Sequence, residues 1–201
     1  KEGRIFDHII HSTDLRDFDW FFKVDDDSYI IHENVVRFLK TKNPQEALFF
    51  GRAFQVDQVV FPAGGAGYVV SREVLRIVKD DRFNRGSFRQ CSLDFASQPS
   101  DTTIAKCLKR YGIFLTPSFD SRDPGERFHP FSYHDVFKFR SEGWWLESHS
   151  FYGYRSGRDC CATHSLSFHY IGWELTRALE ILLYGLNPIF KRLNLEVPDA
   201  Y

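Results

Sequence analysis

The sequence reads as one α/β domain built on a largely parallel sheet. Short apolar runs of strand length alternate along the chain with segments whose apolar residues recur at helical spacing. The 201 residues are 43% hydrophobic and 26% charged, enough to bury a sizeable core and too apolar for a disordered chain. No internal repeat, low-complexity tract or second domain interrupts the pattern, so residues 1–201 are taken as one unit.

Ile5 to Ile10 predicts a strand, and Trp20 to Val24 predicts another that is buried on both faces because it is almost continuously apolar. A turn or short helix start, His11 to Leu15, lies between them. Ser28 or His32 opens a helix that runs through Lys40, with Val35, Val36, Phe38 and Leu39 on one face and Pro44 as the stop. Leu48 to Arg52 is a further strand. Phe61 to Val70 is a small-residue loop feeding a strand or helix, and Ser71 caps the helix that follows. Ser100-Asp101 starts a helix over Thr102 to Tyr111 that Gly112 ends, and Ile113 to Leu115 is a short strand. Residues 117–157 are irregular and rich in Arg, His and aromatics. Ser165 to Tyr170 alternates as a strand does, and Glu174 to Leu186 reads as an amphipathic helix ended by Asn187-Pro188.

A formal net charge of −1 with no basic stripe argues against a nucleic-acid partner. An aromatic content of 17%, with 21 Phe, suits a dense core or a groove that takes flat or sugar-like ligands. No run reaches the roughly 18 to 20 apolar residues that span a bilayer, and Lys1-Glu2-Gly3-Arg4 is no signal peptide. The chain has no Met and opens close to a strand-like segment, so we read it as a fragment whose anchor and early strands lie upstream. Its four cysteines form no C-x-x-C pair. Adjacent Cys160-Cys161 are expected to reach two different partners through disulfides made in a secretory compartment, and reduced cytosolic cysteines are the alternative.

The most informative local feature is the acidic triplet Asp25-Asp26-Asp27, placed where an apolar strand ends. Carboxylates there suit a hard divalent cation holding phosphate oxygens, and mutual repulsion calls for a cation; a solvated turn is the bland reading. A distant imidazole completes such a site for Mn²⁺ more readily than for Mg²⁺. Among eight His, His169 and His129 sit beside apolar residues that would fix the ring, and His169 is preferred for its rigid strand. Asp101 is both a helix N-terminal cap and a candidate general base, whose carboxylate Phe95, Phe114 or Phe119 would partly bury. Gly64-Gly65-Ala66-Gly67-Tyr68 must approach something bulky or adopt positive φ. Trp144-Trp145 with Phe151, Tyr152 and Tyr154 form either a satellite core or a sugar-stacking face. Arg155 and Arg158 read as a surface turn before a diphosphate clamp.

Four segments, Asp19 to Tyr29, Gly64 to Ser71, Phe128-His129-Pro130-Phe131, and Cys160-Cys161 with Ser167-Phe168-His169-Tyr170, together resemble the core 1 β-1,3-galactosyltransferases related to Fringe. The resemblance runs in order from about Phe18 to Pro188. It implies a Rossmann-like glycosyltransferase A-type domain with a mostly parallel mixed sheet, here without its first strands, which would seat uracil and ribose. It implies a type II membrane enzyme of the Golgi lumen that depends on Mn²⁺, with UDP-galactose as donor and GalNAc α-linked to Ser or Thr of a glycoprotein as acceptor. By position, Asp25 and Asp27 belong to the metal motif, His169 is the distal ligand and Asp101 is the base. Asp26, Gly64, Gly65, Ala66, Gly67, Tyr68, His129, Trp144 and Trp145 then fall to substrate binding. Homodimers are familiar in that family, although no residue here argues for one. Ser100-Asp101 departs from the family's paired acids by keeping the second and losing the first. Two alternatives stay open: a Fringe-like β-1,3-N-acetylglucosaminyltransferase, and a non-catalytic chaperone relative, against which the acidic triplet speaks.

Overall fold

The computed structural model describes residues 5, 8–10, 14–85, 100–119, 122–138 and 145–185. Its strands are β1 (Trp20–Lys23), β2 (Tyr29–Ile30), β3 (Phe49–Gly51), β4 (Ala53–Val56), β5 (Val59–Pro62), β6 (Tyr68–Ser71), β7 (Leu115–Thr116), β8 (Phe128–His129) and β9 (Ser167–Phe168). The helices are α1 (His32–Lys40), α2 (Arg72–Arg85), α3 (Ser100–Lys109), α4 (Tyr133–Phe137), α5 (Trp145–His149) and α6 (Trp173–Glu180). They form a mixed α/β fold around a four-stranded sheet ordered β1-β6-β3-β7, with a three-stranded sheet β2-β9-β8 and the hairpin β4-β5.

The expected α/β character and mixed sheet hold, but the parallel share is smaller than expected. Among the described residues only β3–β7 and β8–β9 are parallel, whereas β1–β6, β3–β6, β2–β9 and β4–β5 run antiparallel. Both faces of the four-stranded sheet are covered, and period-two alternation sorts its side chains. Phe49, Tyr68 and Val70 pack with Val74, Leu75 and Val78 of α2 and Ile104 and Leu108 of α3. Phe50 and Val69 face the other way, onto Val35, Phe38 and Leu39 of α1 and Phe128 of β8. T-shaped pairs, Phe49 with Tyr68 and Phe38 with Phe50, fix the two layers.

Several local expectations are corrected. Ile9 and Ile10 are helical rather than extended; Ile5 and Ile9, spaced i,i+4, line one cavity, and that spacing belongs to a helix. The strand buried on both faces is β6, not β1, because β6 has a neighbour on each side while β1 lies at the described edge and is only half-buried. Val36 is 50% exposed, so the apolar face of α1 is Val35, Phe38 and Leu39. Ser71 caps α2 as expected, its Oγ accepting from the Val74 N–H at 3.4 Å. The last helix begins at Trp173 and passes into a π-helical turn, Ile181–Gly185, with no buried residue. Hydrogen bonds hold it instead: Tyr29 Oη donates to Glu180 at 2.9 Å and Tyr184 Oη to Glu33 at 2.6 Å.

Cys160 and Cys161 are bonded to each other, Cα to Cα 3.7 Å, so the expectation of separate partners is overturned. The loop turns tightly there: Gly157 adopts φ 63°, and Cys161 forms a parallel bridge with Glu126. Cys107 is also disulfide-bonded, which accords with an oxidising compartment. Among the described residues no helix is long and apolar enough to cross a membrane.

Candidate functional site

Strand register assembles the site. β1 pairs β6 antiparallel with Lys23 opposite Tyr68, so residues 24–27 emerge beside the Gly64–Gly67 loop that leads into β6. β2 pairs β9 with Tyr29 opposite Phe168, so the same acidic turn emerges beside His169. The turn is therefore the crossing between two sheets, closed by the Ser28 N–H donating to the Asp25 carbonyl at 3.2 Å. It stands at the carboxyl end of β1, where ligands of open α/β sheets gather.

Asp25, Asp27 and His169 each offer one ligand atom, all within 4.8 Å of one another. His169 Nε2 lies 3.1 Å from Asp27 Oδ1, and its Nδ1 is 3.2 Å from the Pro130 carbonyl, a second partner that fixes the ring. The Ile171 N–H donates to the Asp27 carbonyl at 2.8 Å and ties the turn to the segment carrying His169. Two carboxylate oxygens and an imidazole nitrogen are donors that a divalent metal ion can use. Asp26 is exposed at the tip of the turn.

The glycine loop spaces the remaining groups. A Cβ at Gly65 would overlap the His169 ring, and one at Gly64 would stand 3.3 Å from Asp101 Cβ and 3.4 Å from Asp101 Oδ2. Gly67 has φ +80°, and a Cβ there would press to 2.7 Å from the Lys23 carbonyl. Ala66 and Tyr68 are fully buried; Ala66 accepts a hydrogen bond from Ser167, and Tyr68 packs on Phe49. Thus Gly64 and Gly65 are the half-buried backbone against which Asp101 and His169 pack, while Ala66 and Tyr68 support the loop.

Asp101 lies in the first turn of α3 and accepts the Thr102 N–H at 2.8 Å. Phe114 is 61% exposed and Phe119 packs on Tyr152, while Gly64 closely approaches the Asp101 side chain. Phe95 and Trp144 lie outside the described residues. Trp145 stacks on His149 at 4.3 Å and meets Phe54 edge-on at 4.9 Å, beside β4. Arg155 and Arg158 are exposed and line a polar cleft with Asp123, Asp159 and Cys161.

His129 sits in the core rather than at the site's surface. It is 1% exposed, stacked on Phe168 at 4.4 Å, and its Nε2 is 3.0 Å from Ser165 Oγ. Burial, assisted by the positive charge of Arg52, pushes its pKa down to about 3, so the ring is neutral. Its carbonyl accepts the His169 N–H at 3.0 Å, which makes it a support behind the triad.

Sequence reading missed three contributors. Ser28 Oγ donates to the Gly65 carbonyl at 2.7 Å, Lys23 reaches Asp25 at 2.7 Å, and Tyr170 stacks on the His169 ring at 3.8 Å. Tyr170 holds φ 55°, unusual for a residue with a Cβ, which only the folded backbone reveals. For Lys23 the signal was its place in an otherwise apolar strand.

The Fringe-like family profile matches residues 1–171. The chain belongs to the Fringe-like family. It is 35% identical over 183 residues, 89% of its length, to glycoprotein-N-acetylgalactosamine 3-beta-galactosyltransferase 1 of Xenopus laevis, covering 49% of that protein. It is 25% identical over 114 residues to chondroitin sulfate synthase 3 of Homo sapiens and of Mus musculus, covering 51% of the chain and 12% of each relative. The chain thus spans about half, or less, of the length of the curated relatives it matches.

Proposed function

We propose that the chain is the catalytic domain of an inverting glycosyltransferase that moves galactose from UDP-galactose to the 3-hydroxyl of GalNAc α-linked to Ser or Thr. One observation carries the reading: consecutive Gly64 and Gly65 abut Asp101 and His169, so a two-residue bridge links the candidate base to the candidate metal ligands. The 35% identity to a 3-beta-galactosyltransferase supports galactose and GalNAc over other sugars.

In this reading Asp25, Asp27 and His169 hold Mn²⁺. When bound, that ion would supply Lewis-acid charge stabilisation to the diphosphate leaving group. Asp101 takes the proton of the acceptor hydroxyl as its oxygen attacks the anomeric carbon, and a single displacement turns α into β. Gly64 and Gly65 let Asp101 and His169 close on the loop that lines the sugar site, and Asp26 at the turn's exposed tip reaches the donor. The enzyme would work in the Golgi lumen as a type II membrane protein and as a homodimer, and the disulfides at Cys107 and Cys160-Cys161 suit that compartment.

A transfer assay tests this on the full-length protein, with UDP-galactose and UDP-GlcNAc each offered to a GalNAc-peptide and a fucosylated peptide, with and without Mn²⁺. Galactose on the GalNAc-peptide, requiring Mn²⁺ and lost in Asp101→Ala, is expected. GlcNAc on the fucosylated peptide overturns the specificity, and an active Asp101→Ala protein removes that residue from the role.

A further inference from the structure

We propose that Lys23 is the site's own counter-cation, balancing Asp25 while no divalent ion is bound and making the ion bind together with an anionic diphosphate rather than alone. The inference rests on the metal site of the proposed function.

Lys23 Nζ donates to Asp25 Oδ1 at 2.7 Å and to the Gly64 carbonyl at 3.2 Å. It also lies 5.8 Å from the centre of the Tyr68 ring. One ammonium therefore joins the acidic turn, the glycine loop and the strand behind it. Its side chain is 15% exposed, so water screens it little. Lys23 also borders a cavity of about 400 Å³ along β1, together with Trp20, Phe22, Val24 and Ile9. The repulsion among adjacent carboxylates, which from sequence called for a metal, is thus already offset in part by a protein cation.

Asp25 is the carboxylate that Lys23 shares with the metal triad. A divalent ion arriving alone puts two cations on one carboxylate, and this weakens its binding. An ion arriving with a diphosphate brings the negative charge that both cations accept, so the penalty falls. Lys23 is then the source of a coupling free energy between ion and nucleotide, which acts equally in both directions.

Mn²⁺ titrations followed by electron paramagnetic resonance test this on full-length wild type, Lys23→Met and Lys23→Arg, each with and without UDP. Lys23→Met should bind Mn²⁺ alone at least about threefold more tightly than wild type, since a neighbouring positive charge is gone. The tightening that UDP gives to Mn²⁺ should be smaller in Lys23→Met than in wild type, while Lys23→Arg keeps both wild-type values. Unchanged or weaker Mn²⁺ binding in Lys23→Met overturns the proposal, as does undiminished coupling. Should the Met variant lose its native circular dichroism, Lys23→Gln removes the same charge and the same two outcomes decide. A wild type that binds no Mn²⁺ with or without UDP removes the metal site itself, a failure distinct from a wild type that binds and a Lys23→Met that does not differ.

Discussion

Two Phe-His segments lie on neighbouring parallel strands and end in opposite surroundings. In β8, Phe128-His129 pairs with Ser167-Phe168 of β9, so His129 stands opposite Phe168 and stacks on it in the core. His169 comes one residue later, past the end of β9, and its ring turns to Asp27. A shift of one residue against the neighbouring strand exchanges faces, because side chains alternate with period two. The same dipeptide thus gives a neutral core imidazole within one strand and a candidate metal ligand just past the end of the other. Ligand character here is set by register.

The sharpest break of that contrast is removal of each ring in turn. His169→Ala should lower Mn²⁺ affinity and transfer by at least about a hundredfold, because it removes a ligand rather than a support, and should leave the melting temperature near wild type. His129→Ala should do the reverse, costing about 2–4 kcal/mol as a large-to-small change in a packed interior while Mn²⁺ still binds below the melting transition. Paramagnetic resonance titrations beside thermal melts read both. Equal loss of metal binding in the two variants would erase the distinction.

Much of the frame is legible in the sequence, and the reasons are local. The strand at Trp20 to Val24, the helix after Ile31 and the Ser71 cap follow from runs, spacing and capping chemistry within a few residues. Ile5 to Ile10 misleads because a short apolar run fits a strand and a helix equally. The two-residue strand Phe128–His129 is too short to carry a period, and the bond between Cys160 and Cys161 depends on how the loop turns back at Glu126. At the site, the residue types point to a metal, but the meeting of Asp27 with His169 depends on the β2–β9 register, a pairing of segments far apart in the chain. Family resemblance supplies that pairing; periodicity cannot. The burial of His129 escapes the sequence for the same reason, since its partner Phe168 comes from a distant strand.

A gentler probe leaves both rings in place and moves one. Gly65→Ala puts a Cβ where the His169 ring lies, so the ring must shift away from Asp27. Mn²⁺ affinity should fall roughly tenfold to a hundredfold, the range of losing a supporting contact to a metal ligand. Gly153→Ala is the control: its Cβ would meet nothing within 4 Å, and its positive φ of 85° adds the backbone strain of Gly→Ala without touching the triad. Equal Mn²⁺ affinities in the two variants would mean that the loop does not set the ring's position.

The most gradual effect is a slope. Because burial holds the His129 pKa down to about 3, against an ordinary value of 6.5, the unfolded chain binds a proton between those values that the folded chain refuses. Stability therefore falls as pH drops below about 6.5, by up to roughly 1.4 kcal/mol per unit, and levels off near the folded pKa. Glu126 acts with the opposite sign. Burial raises its pKa although Arg52 sits 2.7 Å away, so its contribution is present at low pH and fades as pH rises through its folded value. The wild-type curve mixes the two, and His129→Phe separates them, since it removes the imidazole and leaves Glu126 in place. Urea melts of both proteins from pH 7 to pH 4 should show the wild type losing stability relative to His129→Phe as the pH falls. Parallel curves would mean that the His129 ring takes up its proton inside the fold, and the contrast between the two Phe-His segments would lose its electrostatic half.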